Sequence, residues 1–420
     1  MSAAERWHNM SDSDSLEVPF SRPSISGAEE EAVLKVLRSG WLTTGSEALA
    51  FEKEFSDFMN RVGKNVKDAR EQAALSNDDV ISLAVNSNTS GMILAMEALG
   101  VRQGRAVITT PYTFVSTAAC AKHLGADVIF ADIESDTYSI DIEKVEEILR
   151  RDTDKKVCAI VAVHIAGNVC DMRALVKVAH KYGVKVIEDA AHSFPSLTEL
   201  GFAGTICDAG VFSFYVTKTM TTAEGGMVCT RNADAAKRMR IMRMHGMDRS
   251  TWDRYTSPRA SWEYDIVESG YKFNLPDILA AMGRVQLSRA NDFFERRKRI
   301  VRMYNEAFKD LDFVRLPPDG EGNSWHLYLL RIVPDKLKIA RDEFARELQK
   351  MGIGISVHFI PLFYFTYWKN LDADFTAENF PNAAHAYAAT ITLPLWPDMT
   401  SEMAKKVIDA VKKTGCSNHV

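Results

Sequence analysis

From residue 81 to residue 189 the chain alternates without a break between short apolar runs and helical periods, and no other feature limits its possible folds as much. ISLAV, AVITT, DVIFAD, VCAIVAVH and VKVIED read as strands. SGMILAMEALG, FVSTAACAKHLG, IEKVEEILRR and DMRALVKVAHKYG lie between them and read as helices. Strands separated by ten or more helical residues cannot pair as tight hairpins, so they are predicted to form βαβ units in a mainly parallel sheet. The strands are nearly all apolar, as expected when helices cover both faces. GVFSF and GGMVCT follow each other too closely for helical crossovers and are predicted as extra strands, one of them antiparallel.

The remainder of the 420 residues is arranged around this block, and that length fits two domains. Residues 1–17 are polar and predicted to be a disordered tail without the apolar stretch of a secretory signal. SISGAEEEAVLKVLRS is predicted as a helix capped by Ser26, with Glu29, Glu30 and Glu31 at the positive end of its dipole. EALAFEKEFSDFM is a second amphipathic helix, and 61–79 is a polar surface excursion with the look of an insertion. DAAKRMRIMRMHG is a helix that ends the alternating region, and 248–275 is less regular. A long helical stretch from about residue 276 leads to a smaller α/β segment. There HLYLLRIV and ISVHFIPL are predicted strands, with RDEFARELQKMG and SEMAKKVIDAVKKTG as helices. The expected division is a large domain over 18–255 and an interface segment, long helix and small C-terminal domain over 256–420.

A net charge of −5 gives no basic footprint for nucleic acid. No apolar run approaches a membrane span. The six cysteines show no CxxC pair and no zinc spacing, so they are expected to be reduced buried thiols in a cytoplasmic protein, with no metal site.

In an open parallel sheet the ligand site lies beyond the C-terminal strand ends. NSNTSG (86–91) follows ISLAV and opens a helix, where free N–H groups and the dipole suit a phosphate; a plain helix cap fits equally. PYTFVST (111–117) offers Phe114 as a stacking face or a core aromatic. Asp189, with His192 three residues on, is a buried acid that needs a partner, in a site or in a salt bridge. FSFYVTK (212–218) ends on Lys218 in a polar, flexible bend, with Ser213, Tyr215 and Thr217 beside it. A lysine at the edge of a dry cleft becomes an amine nucleophile when desolvation lowers its pKa. A phosphate cradle, an aromatic plate, an acid and a lysine are together what pyridoxal phosphate requires. The rival dinucleotide fold is disfavoured, because no strand is followed by GxGxxG and no GxxxxGK occurs.

With these residues in place the chain resembles the DegT/DnrJ/EryC1/StrS family of nucleotide-sugar aminotransferases, within the fold-type I pyridoxal phosphate enzymes. The resemblance runs from about Val18 to the C-terminus. Its landmarks include SGWLTTG (39–45), TTPYTFVSTA (109–118), VHIAGNVCDM (163–172), VIEDAAHS (186–193), FSFYVTK (212–218), TTAEGGM (221–227), GYKFNLPDILAAMGRVQL (270–287), HLYLLRI (326–332) and VHFIPL (357–362). It implies Lys218 as the Schiff-base lysine and Asp189 as partner of the pyridine nitrogen. Ser213 and the Ser87, Asn88 and Thr89 turn would be phosphate ligands, Phe114 the stacking ring, and His192 the residue meeting the phenolic oxygen. Asn274 would reach the phosphate of a neighbouring subunit, in a homodimer with shared active sites. Thr44, Arg243, His245 and His358 match loops that shape the sugar-nucleotide cleft.

The sequence departs from the family pattern at Asn88, where Gly is frequent and where Asn tolerates the left-handed conformation, and at Val216, where Pro is frequent. The segment 193–210 also departs from the family's more Gly-rich connection. The implied reaction moves an amino group from L-glutamate to a nucleotide-linked keto-sugar, with a 4-keto sugar favoured by the DAAH form. Two other readings stand beside it. One is a sugar dehydratase, although such relatives carry His in place of Lys218. The other is a non-catalytic sugar-nucleotide sensor.

Overall fold

The computed structural model describes residues 18–248, 262–320 and 322–420. The proposed tail (1–17) and the proposed domain boundary at 255/256 lie outside them. The large sheet has seven strands. They are β1 (Ile81–Val85), β2 (Ala106–Thr109), β3 (Asp127–Phe130), β4 (Val157–Val163), β5 (Lys185–Asp189), β8 (Ala209–Ser213) and β9 (Gly226–Thr230), in the order β1-β9-β8-β5-β4-β2-β3. Between β5 and β8 a small hairpin, β6 (Leu197–Thr198) and β7 (Gly201–Phe202), stands apart from it. The pairs β3–β2, β2–β4, β4–β5 and β5–β8 are parallel, and β9 runs antiparallel to both β8 and β1.

Successive side chains along each strand point to opposite faces of the sheet, and so divide the core. Leu83, Val107, Val161, Ile187, Val211 and Val228 point into one cluster, packed by Met92–Met96 of the helix Asn88–Ala98 and by Met239 of the helix Ala233–Met242. On the other face, Ile108, Ile160 and Val186 meet Val145, Leu149 and Leu175 from the helices Ile142–Arg151 and Met172–Tyr182. Ala84, Phe212 and Met227 on that face meet Phe51 and Phe55 of the helix Ser46–Met59. With both faces covered, the strands have no polar side to show, and their near-continuous apolar sequence follows.

The helix Gly27–Ser39 begins on a capping box between Ser26 and Glu29. The helix Ser46–Met59 is capped from a distance instead. Asp277 accepts hydrogen bonds from the N–H groups of Gly45 (2.7 Å), Glu47 (3.2 Å) and Ala48 (3.0 Å). The C-terminal part builds a second, antiparallel sheet in the order β10 (Val314–Arg315), β11 (Tyr328–Ile332), β12 (Thr390–Leu393). The helices Ala290–Phe308, Arg341–Lys350 and Ser401–Ser417 pack its core. A shared apolar cluster joins the two parts: Tyr112, Tyr138 and Ile165 from the first meet Leu327, Leu362 and Phe363 from the second.

Three expectations are corrected. ISVHFIPL is not a strand. Only Ser356 pairs, with Thr392, and Pro361 has no N–H to continue a ladder. The segment instead lies over the loop after β2, where Leu362 N–H donates to Pro111 O at 2.9 Å. The long helical stretch is two helices, Asp277–Ser288 and Ala290–Phe308, parted at Arg289. The stretch 61–79 is not simply a surface excursion. It carries a helix, Lys64–Gln72, whose Arg70 is buried and donates to the carbonyls of Ser76, Leu200 and Ile206. An arginine in a polar run gives no periodic signal, so its burial is invisible in the sequence. Among the described residues no helix is long and apolar enough to cross a membrane.

Candidate active site

The C-terminal ends of β1, β5 and β8 and the loop after β2 converge on a cavity of about 300 Å³. Each contributes one of the expected groups. After β1, Ser87 caps the helix Asn88–Ala98, its hydroxyl accepting from Ser90 N–H at 3.1 Å. Ser87, Asn88 and Thr89 line the cavity, so the positive end of this helix faces it. Asn88 is the first helical residue and is not left-handed. Its amide donates to Val211 O at 3.1 Å and pins the helix start to β8. Gly226 makes that approach possible: a Cβ there would lie 2.7 Å from Phe212 O and 2.9 Å from Asn88 N.

After β2, Phe114 lines the cavity with 58% of its surface exposed, unusual for a phenyl ring and suited to a planar ligand. At the end of β5, Asp189 is buried. Its Oδ2 accepts from Thr117 Oγ1 at 2.7 Å and its Oδ1 from Ala191 N–H at 3.3 Å. Thr117 lies 2.9 Å from a second hydroxyl, Thr113 Oγ1. Two donors hold the carboxylate in one orientation.

After β8, Ser213 and Lys218 line the cavity. The bend that carries Lys218 is not loose, as its composition suggested. Phe214 N–H donates to Gly225 O, Thr222 N–H to Phe214 O, and Thr221 Oγ1 to Phe214 O, each at 2.9 Å. The freedom left to the lysine is that of its own side chain. Burial pulls its amine down to about 8, against the opposing effect of Asp189.

Three imidazoles complete the lining: His192, His326 and His358. Burial holds His192 and His326 well below the ordinary imidazole value and His358 at about 3, with Lys218 adding to each shift. All three are therefore neutral at pH 7. His358 Nδ1 lies 3.0 Å from Thr392 Oγ1. His326 and Thr117 were not singled out from the sequence. The available signal for His326 was an imidazole opening an otherwise apolar strand; Thr117 gave none, since a threonine inside a helix start is commonplace.

Four predicted residues are placed elsewhere in this chain. Arg243, expected near the substrate, is buried in an ion pair with Glu52 and also donates to Ala84 O. His245 is exposed, with its N–H on Tyr271 O at 2.7 Å. Asn274 and Thr44 bond each other, Asn274 Nδ2 donating to Thr44 Oγ1 at 2.6 Å, while Thr44 Oγ1 donates to Leu275 O at 2.6 Å. None of the four lines the cavity. A larger cavity, of about 670 Å³, lies at the opposite end of the strands beside Ile81 and Val186. Its Arg70 and Arg231 are engaged with backbone carbonyls, and it holds no lysine beside an acid of the kind found here.

A lysine with a lowered pKa, an oriented carboxylate, an exposed ring and a helix N-terminus in one cavity fit pyridoxal phosphate. The comparisons agree. The chain is 38% identical over 398 residues to the spore coat polysaccharide biosynthesis protein SpsC of Bacillus subtilis, covering 94% of this chain and 96% of that one. It superposes on Spr1654 of Streptococcus pneumoniae in its PMP form with a TM-score of 0.83 and 30% identity, over 95% of this chain and 99% of the other. The same protein is known in a PLP form. Helicobacter pylori PseC, an aminotransferase involved in the biosynthesis of pseudoaminic acid, gives a TM-score of 0.83 at 26% identity, over 96% and 100% of the two chains. Residues 23–412 match the family model, and the chain belongs to the DegT/DnrJ/EryC1/StrS aminotransferase family, whose cofactor is pyridoxal 5′-phosphate.

Proposed function

We propose that the protein moves an amino group from L-glutamate to the keto-sugar of a nucleoside diphosphate sugar, a 4-keto sugar in preference, for the synthesis of an amino sugar of a surface polysaccharide. The observation that carries this reading is the meeting of Lys218, Asp189 and the N-terminus of the helix Asn88–Ala98 in one cavity. The names of SpsC and PseC support a sugar product.

In this reading the first-turn amides at Asn88 and Thr89, with the Ser87 and Ser213 hydroxyls, would hold the cofactor's phosphate. Phe114 would cover one face of its ring, Asp189 would meet its ring nitrogen, and His192 would meet its phenolic oxygen. When bound, the cofactor supplies a carbonyl to accept the amino group and a protonated ring that stores the electron pair of a broken C–H bond. The chain supplies the rest. Lys218 Nζ, its amine pulled down to about 8 by burial, would be the group that holds the cofactor's carbonyl carbon and that, once displaced by the donor's amine, carries the proton removed from the donor's α-carbon. Asp189, held by Thr117 and Ala191, would keep a proton on the ring nitrogen. The neutral imidazoles contribute hydrogen bonds without adding positive charge beside Lys218.

The active unit in this reading is a homodimer with shared sites. Its support is that Asn274 and Thr44 lie together off the cavity of their own chain. Leu34, Leu37 and Leu49 are exposed on the helices Gly27–Ser39 and Ser46–Met59. A panel of 3-keto and 4-keto nucleotide sugars, incubated with the cofactor-loaded protein and 15N-labelled glutamate, tests the reading. The expected result is one 15N-labelled amino sugar nucleotide by mass spectrometry. Labelled nitrogen passing only to 2-oxo acids would refute it.

A further inference from the structure

We propose that His326 is a positioning residue: packed against His192, it holds that imidazole in the neutral form with its proton on Nε2. The nitrogen left for the ligand is then a donor. The inference rests on the reading above that His192 faces the cofactor, and it adds how His192 is set for that contact.

The tautomer follows from one hydrogen bond. Ala166 N–H donates to His192 Nδ1 at 3.1 Å, so Nδ1 presents a lone pair, and a neutral ring must carry its proton on Nε2. A protonated ring would set two N–H groups against each other and would sit beside Lys218 in a buried site. The donor at Nε2 suits an oxygen acceptor, the class to which the phenolic oxygen belongs.

Keeping Nδ1 on Ala166 requires that the ring cannot turn. Phe359 stacks on it, with centroids 5.6 Å apart and planes at 22°, and His326 packs at 4.5 Å and 56°. His326 is itself anchored to the same backbone. Its neighbour Leu327 donates N–H to Ala166 O at 3.2 Å, and Ser324 Oγ donates to His192 O at 2.7 Å. Ala166 (φ 58°) and Trp325 (φ 52°) both adopt the left-handed conformation to make this junction, a conformation unfavourable for residues with a Cβ. A short stretch before β11, in the C-terminal part of the chain, therefore fixes a ring that belongs to the cofactor-binding sheet. His326 Nδ1 is buried with no hydrogen-bond partner among the described residues. Its ring, rather than that nitrogen, holds His192.

Phenylalanine should then replace His326 in this role, and alanine should not. The test is a solid-state 15N spectrum of histidine-labelled apo-protein at neutral pH, with the His192 signals identified by their loss in His192→Gln. The expected result is a single Nε2–H tautomer for His192 in the wild type and in His326→Phe, and a mixture of tautomers in His326→Ala. His326→Val carries the same test should the alanine variant not fold. A wild-type His192 with its proton on Nδ1, or a His326→Ala spectrum identical to the wild type, would overturn the proposal. The measurement is made without cofactor, so failure of the proposed reaction would leave its result intact, and the reverse also holds.

Discussion

Thr117 Oγ1 donates to Asp189 Oδ2 at 2.7 Å, which ties the buried acid at the end of β5 to the helix that follows β2. The contact turns a carboxylate at a strand end into one with a fixed direction. Thr117→Val keeps the shape and removes the donor. A hydrogen bond to a charged group contributes about 1.5–3 kcal/mol, of which the reaction would feel a part, so kcat should fall by about 10-fold. Steady-state kinetics check this, and an unchanged kcat would separate Thr117 from Asp189's function.

Lys218 gives a pH signature. Its folded-state pKa of about 8 lies below the ordinary 10.5, because burial disfavours the charged amine. Between those two values the unfolded chain binds more protons than the folded one, so this group's contribution to stability rises with pH across the window. Trapping of the apo-protein's amine by an aldehyde probe should be half-maximal near pH 8. Lys218→Met should abolish the trapping and flatten the stability change between pH 8 and pH 10.5.

Arg243 is expected to act through stability. Removing it leaves Glu52 buried without its partner, a change that costs about 3–5 kcal/mol when a buried pair is broken. Arg243→Ala should lower the urea midpoint strongly, and any surviving folded protein should keep a near-normal KM for the sugar nucleotide. A stable variant with a raised KM would restore the substrate role read from the sequence.

Gly226 is predicted to be intolerant of a side chain. Its Cβ would collide with Phe212 O and Asn88 N, so β9 and the start of the phosphate-facing helix would have to part. Overpacking of this kind costs about 1–3 kcal/mol. Gly226→Ala should release cofactor on dialysis that the wild type retains, as read by visible absorbance.

The sheet was legible because its cause is local. Buried parallel strands need apolar residues on both faces, and the helices between them need an amphipathic period, so ISLAV to VKVIED could be assigned by pattern. The cavity residues at strand ends were legible for the same reason, since the topology fixes where a strand end points. What lay outside reach was set by contacts distant in sequence. Asp277 caps a helix about 230 positions away, Arg70 is held by the carbonyls of Leu200 and Ile206, and Arg243 finds Glu52 across the core. Motif matching assigned Arg243 to the substrate and passed over His326. It aligns residue types and carries no information on which partner satisfies each one.

The central claim is that Lys218 and Asp189 run a transamination in this cavity. The most direct measurement is the visible spectrum of the cofactor-loaded protein before and after L-glutamate. The account predicts a visible band that bleaches with glutamate and returns with the keto-sugar nucleotide, and no bleaching in Lys218→Ala. A protein that stays colourless when supplied with pyridoxal phosphate, or whose band is indifferent to every amino donor, would contradict it.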